Sequence, residues 1–238
     1  MKIRCIYFIL FSLVFANNSY ASDTTKNSSL KHIKTITGKI SPKSIVHNGN
    51  GLFFAQNMMY KHTVTVYNRN YELIKLIKDK VHLSNYISDT TYQTEDYHRG
   101  APVECVFTHN GKYAWVSNYE MSGKGFDKPG CDNCRSKDDY DPSFVYKINT
   151  ETFVIEEVIK VGSVPKYLAS TRDNKLVLIS NWTSGDLSVI DTEQNKEIKR
   201  ISVGRFPRGI AIDNQRNIAY VAIMGGKTIA AINLNDYS

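Results

Sequence analysis

The chain has 238 residues, 30 Lys and Arg against 23 Asp and Glu, and a formal charge of +7. So thin an excess, with tyrosines spread along the sequence and no basic stripe interleaved with stacking aromatics, argues against nucleic acid and leaves polyanion or nucleic-acid binding as a second alternative only. No nucleophile elbow, H-E-x-x-H, phosphate loop or dinucleotide fingerprint is present, and the histidines show no ligand spacing.

Residues 1–21 read as a secretory signal peptide. Lys2 and Arg4 form a charged start, Ile6 to Ala16 is apolar except for Ser12, and Ser19-Tyr20-Ala21 is a small-x-small cleavage site. The run is too short, and too soon followed by polar residues, to span a bilayer. Export to the periplasm or beyond the cell is expected, with no membrane span after cleavage. Loss of Lys2 and Arg4 lowers the charge from +7 to +5. Residues 22–32 read as a flexible leader.

From 33 to 238 the sequence reads as one repeated unit. Its clearest copy runs from Pro165 to Arg205, with four short apolar runs separated by turn residues: Leu168-Ala169, Leu176 to Ile179, Leu187 to Ile190 and Glu197 to Val203. Pro207 restarts the pattern 42 residues after Pro165. Four β-type runs at that period predict an all-β chain, a propeller of four-stranded antiparallel blades. Earlier units open at Pro42 and Pro102. HIKTITGKI, residues 32–40, is similar to the outer-strand segments EEVIKVG and EIKRISVG. A strand is therefore expected there, sharing a sheet with the end of the chain.

The second-strand cores align as Phe53–Asn57, Ala114–Asn118, Val177–Asn181 and Ala219–Ile223. These runs, with AWVSN, VLISN and AYVAI, resemble the YVTN family of β-propeller repeats. The resemblance implies an exported repeat protein whose rings usually have seven blades, and it specifies fold far better than function. About four units are present, so an incomplete or open ring is expected. The chain reads as part of a longer propeller, as one that assembles with another chain, or as a four-bladed ring.

Two insertions, 78–101 and 119–142, break the period. Strand direction alternates within a blade, so an outer-to-inner and a second-to-third connection emerge on the same side. Both are expected to crown one face as neighbours, and long loops of this kind often carry function. The second holds Cys131-Asp132-Asn133-Cys134, readable as a disulfide, a metal half-site or free thiols. Arg135 stands where a haem-attachment His would be, and Glu95, Asp96 and His98 on the other insertion are the residues that would complete a zinc set. Cys105 reads as a small buried apolar residue, and Asp138, Asp139 and Asp141 as a solvated loop.

After the opening prolines stand Lys43, Val103, Lys166 and Arg208, followed by Ser44, Glu104, Tyr167 and Gly209. In radial blades these positions ring the mouth of a central channel on the crowned face. Lys43, Glu104, Lys166, Tyr167 and Arg208 are thus the candidate ligand-binding residues, and converging cations point to an anionic ligand. Asn57, Asn118 and Asn181 are expected to hold hairpin turns. No catalytic set and no cofactor is identified. The leading reading is a non-catalytic scaffold for an unknown protein or a small anionic ligand. The alternative, implied by propeller enzymes of similar fold, is a lactonase-like enzyme with a divalent metal at the channel mouth.

Overall fold

The computed structural model describes residues 30–135 and 138–238. The expected signal peptide lies outside them. Two units are distinguished, one ending at Thr35 and one running from Ile36 to Ser238; residues 30–35 of the first form no helix or strand. Among the described residues no helix is long and apolar enough to cross a membrane.

The second unit is nearly all β, and its sheets follow chain order. The first contains β1 (Ser44–His47), β2 (Phe53–Asn57), β3 (Thr63–Tyr67) and β4 (Leu73–Lys78). The second contains β5 (Arg99–Thr108), β6 (Tyr113–Ser122), β7 (Ser143–Asn149) and β8 (Ile155–Val161). The third contains β9 (Pro165–Ser170), β10 (Leu176–Asn181), β11 (Asp186–Asp191) and β12 (Lys196–Ser202). The last contains β13 (Pro207–Asp213), β14 (Ile218–Ile223) and β15 (Thr228–Asn233). Within each sheet the strands lie in sequence order and all pairings are antiparallel. These are propeller blades. They touch in succession through their inner strands, β1 to β5, β5 to β9 and β9 to β13, and the arc does not close.

Side-chain alternation explains why the blades stack. In the second blade, Ala114, Val116, Phe144 and Tyr146 join a buried cluster with Phe54, Val64 and Val66 of the first. The intervening residues Trp115 and Val145 turn to the other side and meet Val177 and Ile179 of the third. Leu178 and Leu187 of the third face Ala219 and Val221 of the last. Both faces of β6, β7, β10 and β11 are thus covered, which is why consecutive residues such as Ala114-Trp115-Val116, Phe144-Val145-Tyr146 and Val177-Leu178-Ile179 are all apolar and buried. The first and last blades have one neighbour each. Their outward residues stay in water, Ile45 at 61% and Ile229 at 72% of full exposure.

Two features differ from the sequence expectation. Residues 32–40 form no strand, and the last sheet has three strands, not four. Similar composition does not make a strand without an edge to pair with. The insertions, in turn, are not pendant loops. Leu83 and Tyr92 of the first and Met121 and Phe126 of the second belong to the same buried cluster as Phe54 and Phe144.

Candidate functional site

The opening prolines set the start of the inner strands. Pro165 and Pro207 are the first residues of β9 and β13, where a missing N–H is tolerated. Pro102 lies inside β5, flanked by register shifts on both sides, the other place a strand accepts proline. Hydrogen bonds between blades then align these strands. Ser44 donates to the Val103 carbonyl at 2.6 Å, and Ser180 donates to the Arg208 carbonyl at 2.7 Å. The residues after the prolines are thereby drawn to a common place.

Charge meets charge there. Lys166 is 9% exposed, and its Nζ donates to Asp132 Oδ1 at 2.5 Å. The ammonium also lies 4.3 Å from the Trp182 ring centre and 5.4 Å from that of Tyr119. Arg208 Nη2 is 3.6 Å from Glu104 Oε1. Lys43 is exposed, and its charge reaches Glu104, Asp132 and Lys166. Burial lowers the Lys166 pKa; Asp132 pulls it back up, while Arg208 and Lys43 push it down. Burial raises Glu104, only partly offset by Arg208, Ser44 and Lys43. For Asp132, burial is outweighed by hydrogen bonds from Lys166 and Tyr119, so its carboxyl falls below the usual range.

Three cations therefore share the site with two carboxylates. Beside Glu104, which the repeat period already places here, Asp132 of the second insertion supplies a second counterion, and one positive charge remains uncompensated. Three donors at this level also lack partners among the described residues: Arg208 Nη1, Gln56 Nε2 and Ser117 Oγ. Gln56 and Ser117 are fully buried and pair across the strands with Ser44 and Glu104. Tyr167 stands apart. It is 37% exposed, and its ring makes no hydrogen bond or ring contact among the described residues.

The second insertion is fastened over this group. Cys131 and Cys134 form a disulfide with Cα atoms 5.0 Å apart, so their sulfurs are not thiolate ligands. Thr183 donates to the Cys131 carbonyl at 2.8 Å and Trp182 Nε1 to the Asp132 carbonyl at 2.9 Å. Tyr119 donates to Asp132 Oδ1 at 3.0 Å. Trp182 stacks on Phe206 with ring centres 4.8 Å apart. The two insertions also touch: Tyr92 and His98 of the first lie against Phe126 of the second, with ring centres 6.0 and 5.5 Å apart. Among the described residues no group of three or more His, Cys, Asp and Glu is arranged to hold a metal. His98 faces the Lys124 carbonyl through Nε2, and Asp96 pairs with Lys124.

Asn57 and Asn181 bridge their hairpins, donating to Thr65 Oγ1 at 3.1 Å and Ser188 Oγ at 2.8 Å. Asn118 donates to the Phe144 carbonyl at 3.3 Å. Cys105 is buried, and burial drives its thiol far above the ordinary range. An open cleft of about 580 Å³, lined by residues such as Arg172, Asp191 and Asn214, lies at the opposite ends of the strands. It belongs to the bare face, away from the insertions and from the charged group.

Sequence reasoning reached Lys43, Glu104, Lys166 and Arg208 through the repeat period. It missed Asp132, Tyr119 and Trp182, whose positions depend on how an aperiodic loop folds back. It also missed Gln56 and Ser117, for which the register opposite Ser44 and Glu104 was the available signal.

No family model matches this sequence, and no curated protein matches it. Solved structures do. A structure titled Kuenenia stuttgartiensis hydrazine synthase aligns with 87% of this chain and 50% of its own, at 15% identity and a TM-score of 0.60. The β-propeller domain of Cps50 (Swd1) from Myceliophteria thermophila aligns with 81% of this chain and 53% of its own, at 10% identity and a TM-score of 0.52. The chain spans about half the length of each of these structures. At such identities the likeness concerns architecture alone, and with the unclosed run of antiparallel blades it makes the fold of residues 36–238 that of a β-propeller.

Proposed function

We propose that this protein is an exported propeller of the YVTN type. It acts as a non-catalytic scaffold whose ligand or partner docks on the face bearing both insertions. The observation that carries this reading is the gathering of Lys43 and Arg208 around Lys166, which holds Asp132 of the disulfide loop, with Glu104 and Asp132 the carboxylates that balance them among the described residues. Like charges held together around the buried Lys166 ammonium favour an added anion, and Arg208 Nη1, buried and without a partner among the described residues, is a spare donor. An acidic patch on a protein and a small carboxylate or phosphate both present that chemistry.

The test uses the purified chain and its R208A variant. Thermal unfolding is followed against phosphate, sulfate and citrate, and retention of partners from an extracytoplasmic fraction is measured in parallel. Saturable stabilisation by one of these anions, or a retained partner, that is lost in R208A supports the reading. No stabilisation and no retained protein refutes it. Tightly bound divalent metal in the purified protein, with turnover of a lactone, would replace it by the enzyme alternative.

A further inference from the structure

The two insertions have four roots: three of them, Asp79, Gly100 and Asn118, adjoin one another beside a buried carboxylate, and the fourth, Ser143, is tied to Asn118. Asp79 stands at the start of the first insertion and Gly100 at its end. Asn118 immediately precedes the second, and Ser143 immediately follows it. Asp79 is 4% exposed, and its Oδ1 accepts the Gly100 N–H at 2.7 Å. Gly100 is wedged between this carboxylate and Asn118 Oδ1, both of which a Cβ would strike. Ser143 Oγ donates to the Asn118 carbonyl at 2.5 Å, and Asn118 Nδ2 reaches the neighbouring Phe144 carbonyl. A bridge between Val81 and His98 closes the base of the first insertion.

Two buried acceptors at this junction, Asp79 Oδ2 and Asn118 Oδ1, have no hydrogen bond in place among the described residues, although the Tyr146 hydroxyl stands near enough to Asp79 to favour its charged form. Both belong to buried residues on either side of one glycine. Buried acceptor oxygens left without a donor are unfavourable unless a hydrogen is supplied to them. A carboxylic acid supplies that hydrogen and a carboxylate does not.

We propose that Asp79 is a proton-operated clasp: its neutral acid binds the roots of both insertions together, and its ionisation loosens the crown of the candidate docking face. The clasp rests on the packing of the insertions and not on what docks there. Burial, the largest influence, pushes the Asp79 pKa up to about 7, against the opposing pull of the Gly100 N–H, the Tyr146 hydroxyl and the Arg99 charge. The other titratable groups at the junction are His62, whose Nδ1 faces the Gly100 carbonyl at 2.8 Å, His98 on the bridge and Tyr86 beside Tyr146.

The sign follows from the direction of the shift. The native state keeps a proton that the unfolded chain loses above 3.8, so the clasp is intact in acid and is lost as pH rises through about 7. Between pH 6 and pH 8 the equilibrium closing the insertions weakens about tenfold.

Two measurements on the full chain test this. The first is the backbone ¹⁵N–¹H signal of Gly100 from pH 5 to 9, which should titrate with a midpoint near 7 and become flat in D79N. Asparagine there keeps the acceptor for Gly100 and offers an N–H to Asn118. The second is native-state proteolysis within 78–101 and 119–142, normalised to an unstructured peptide. Cleavage should rise about tenfold from pH 6 to pH 8 in the wild type and stay level in D79N. A flat Gly100 signal in the wild type overturns the proposal. So does a pH response that survives in D79N but vanishes in H62Q or H98Q, and so does a site silent to protons but shifted by calcium chloride. Binding through Arg208 can fail its own test without touching any of these outcomes.

Discussion

At the scale of single residues, crowding and openness at two glycines separate structural from tolerant positions. Gly100 has Asp79 Oδ1 within 2.8 Å of where a Cβ would stand, with Asn118 Oδ1 closer still. G100A should destabilise the protein by about 2 kcal/mol or more, read from the urea midpoint, because neither neighbour can retreat. Gly209, with nothing within 4 Å of its Cβ position, should accept alanine within about 0.5 kcal/mol. The contrast between them was invisible in the sequence, where both are glycines near an opening proline. The same holds for Asp79. Between Lys78 and Lys80 it reads as one charge of a solvated run, and only the fold shows that it points inward. Lys43, Lys166 and Arg208 were legible because the repeat itself counts them off, in the first, third and last blades, with Val103 at the same place in the second.

At the scale of elements, several hairpins reuse one turn. Asp191 Oδ1 accepts from the N–H groups of Glu193 and Gln194, Asp213 from those of Gln215 and Arg216, and Asn149 from those of Glu151 and Thr152. Four residues after each acceptor the backbone turns left-handed: Asn195 at φ 53°, Asn217 at 54° and Phe153 at 58°. The side-chain oxygen takes the place of a backbone acceptor and closes the turn. D191A removes that acceptor and should cost about 1 kcal/mol, measured by thermal unfolding at fixed pH. Asparagine in the two later turns announces its conformation in the sequence. Phenylalanine does not, since bulky residues seldom adopt positive φ, and Phe153 stays there because its ring packs on the cluster around Phe54. The strand expected over 32–40 failed for the opposite reason: its residues suit an outer strand, but a strand is made by its partner.

At the scale of the whole second unit, the arc has two unequal kinds of blade. Inner blades are buried on both faces, whereas the end blades expose Ile45, Leu73, Met224 and Ile229. The chain should therefore self-associate as concentration rises, and I229K should raise the concentration at which sedimentation velocity detects the larger species. Retention of the wild-type behaviour in I229K would exclude that face as the contact. The number and order of blades were legible because alternation and period survive divergence. The gathering of the insertions on one side was legible from strand direction alone, and their burial in the core was not, since Tyr92 and Phe126 sit in no periodic pattern.

Because each blade grips only the blades beside it, resistance to mechanical load is local. Pulled from its termini, the second unit should shed its sheets one after another and give a sawtooth force trace. The three-stranded end sheet should yield at the lowest force. The second blade, locked by the aromatic seam of Tyr92, Phe126 and Phe144, should be the last to let go.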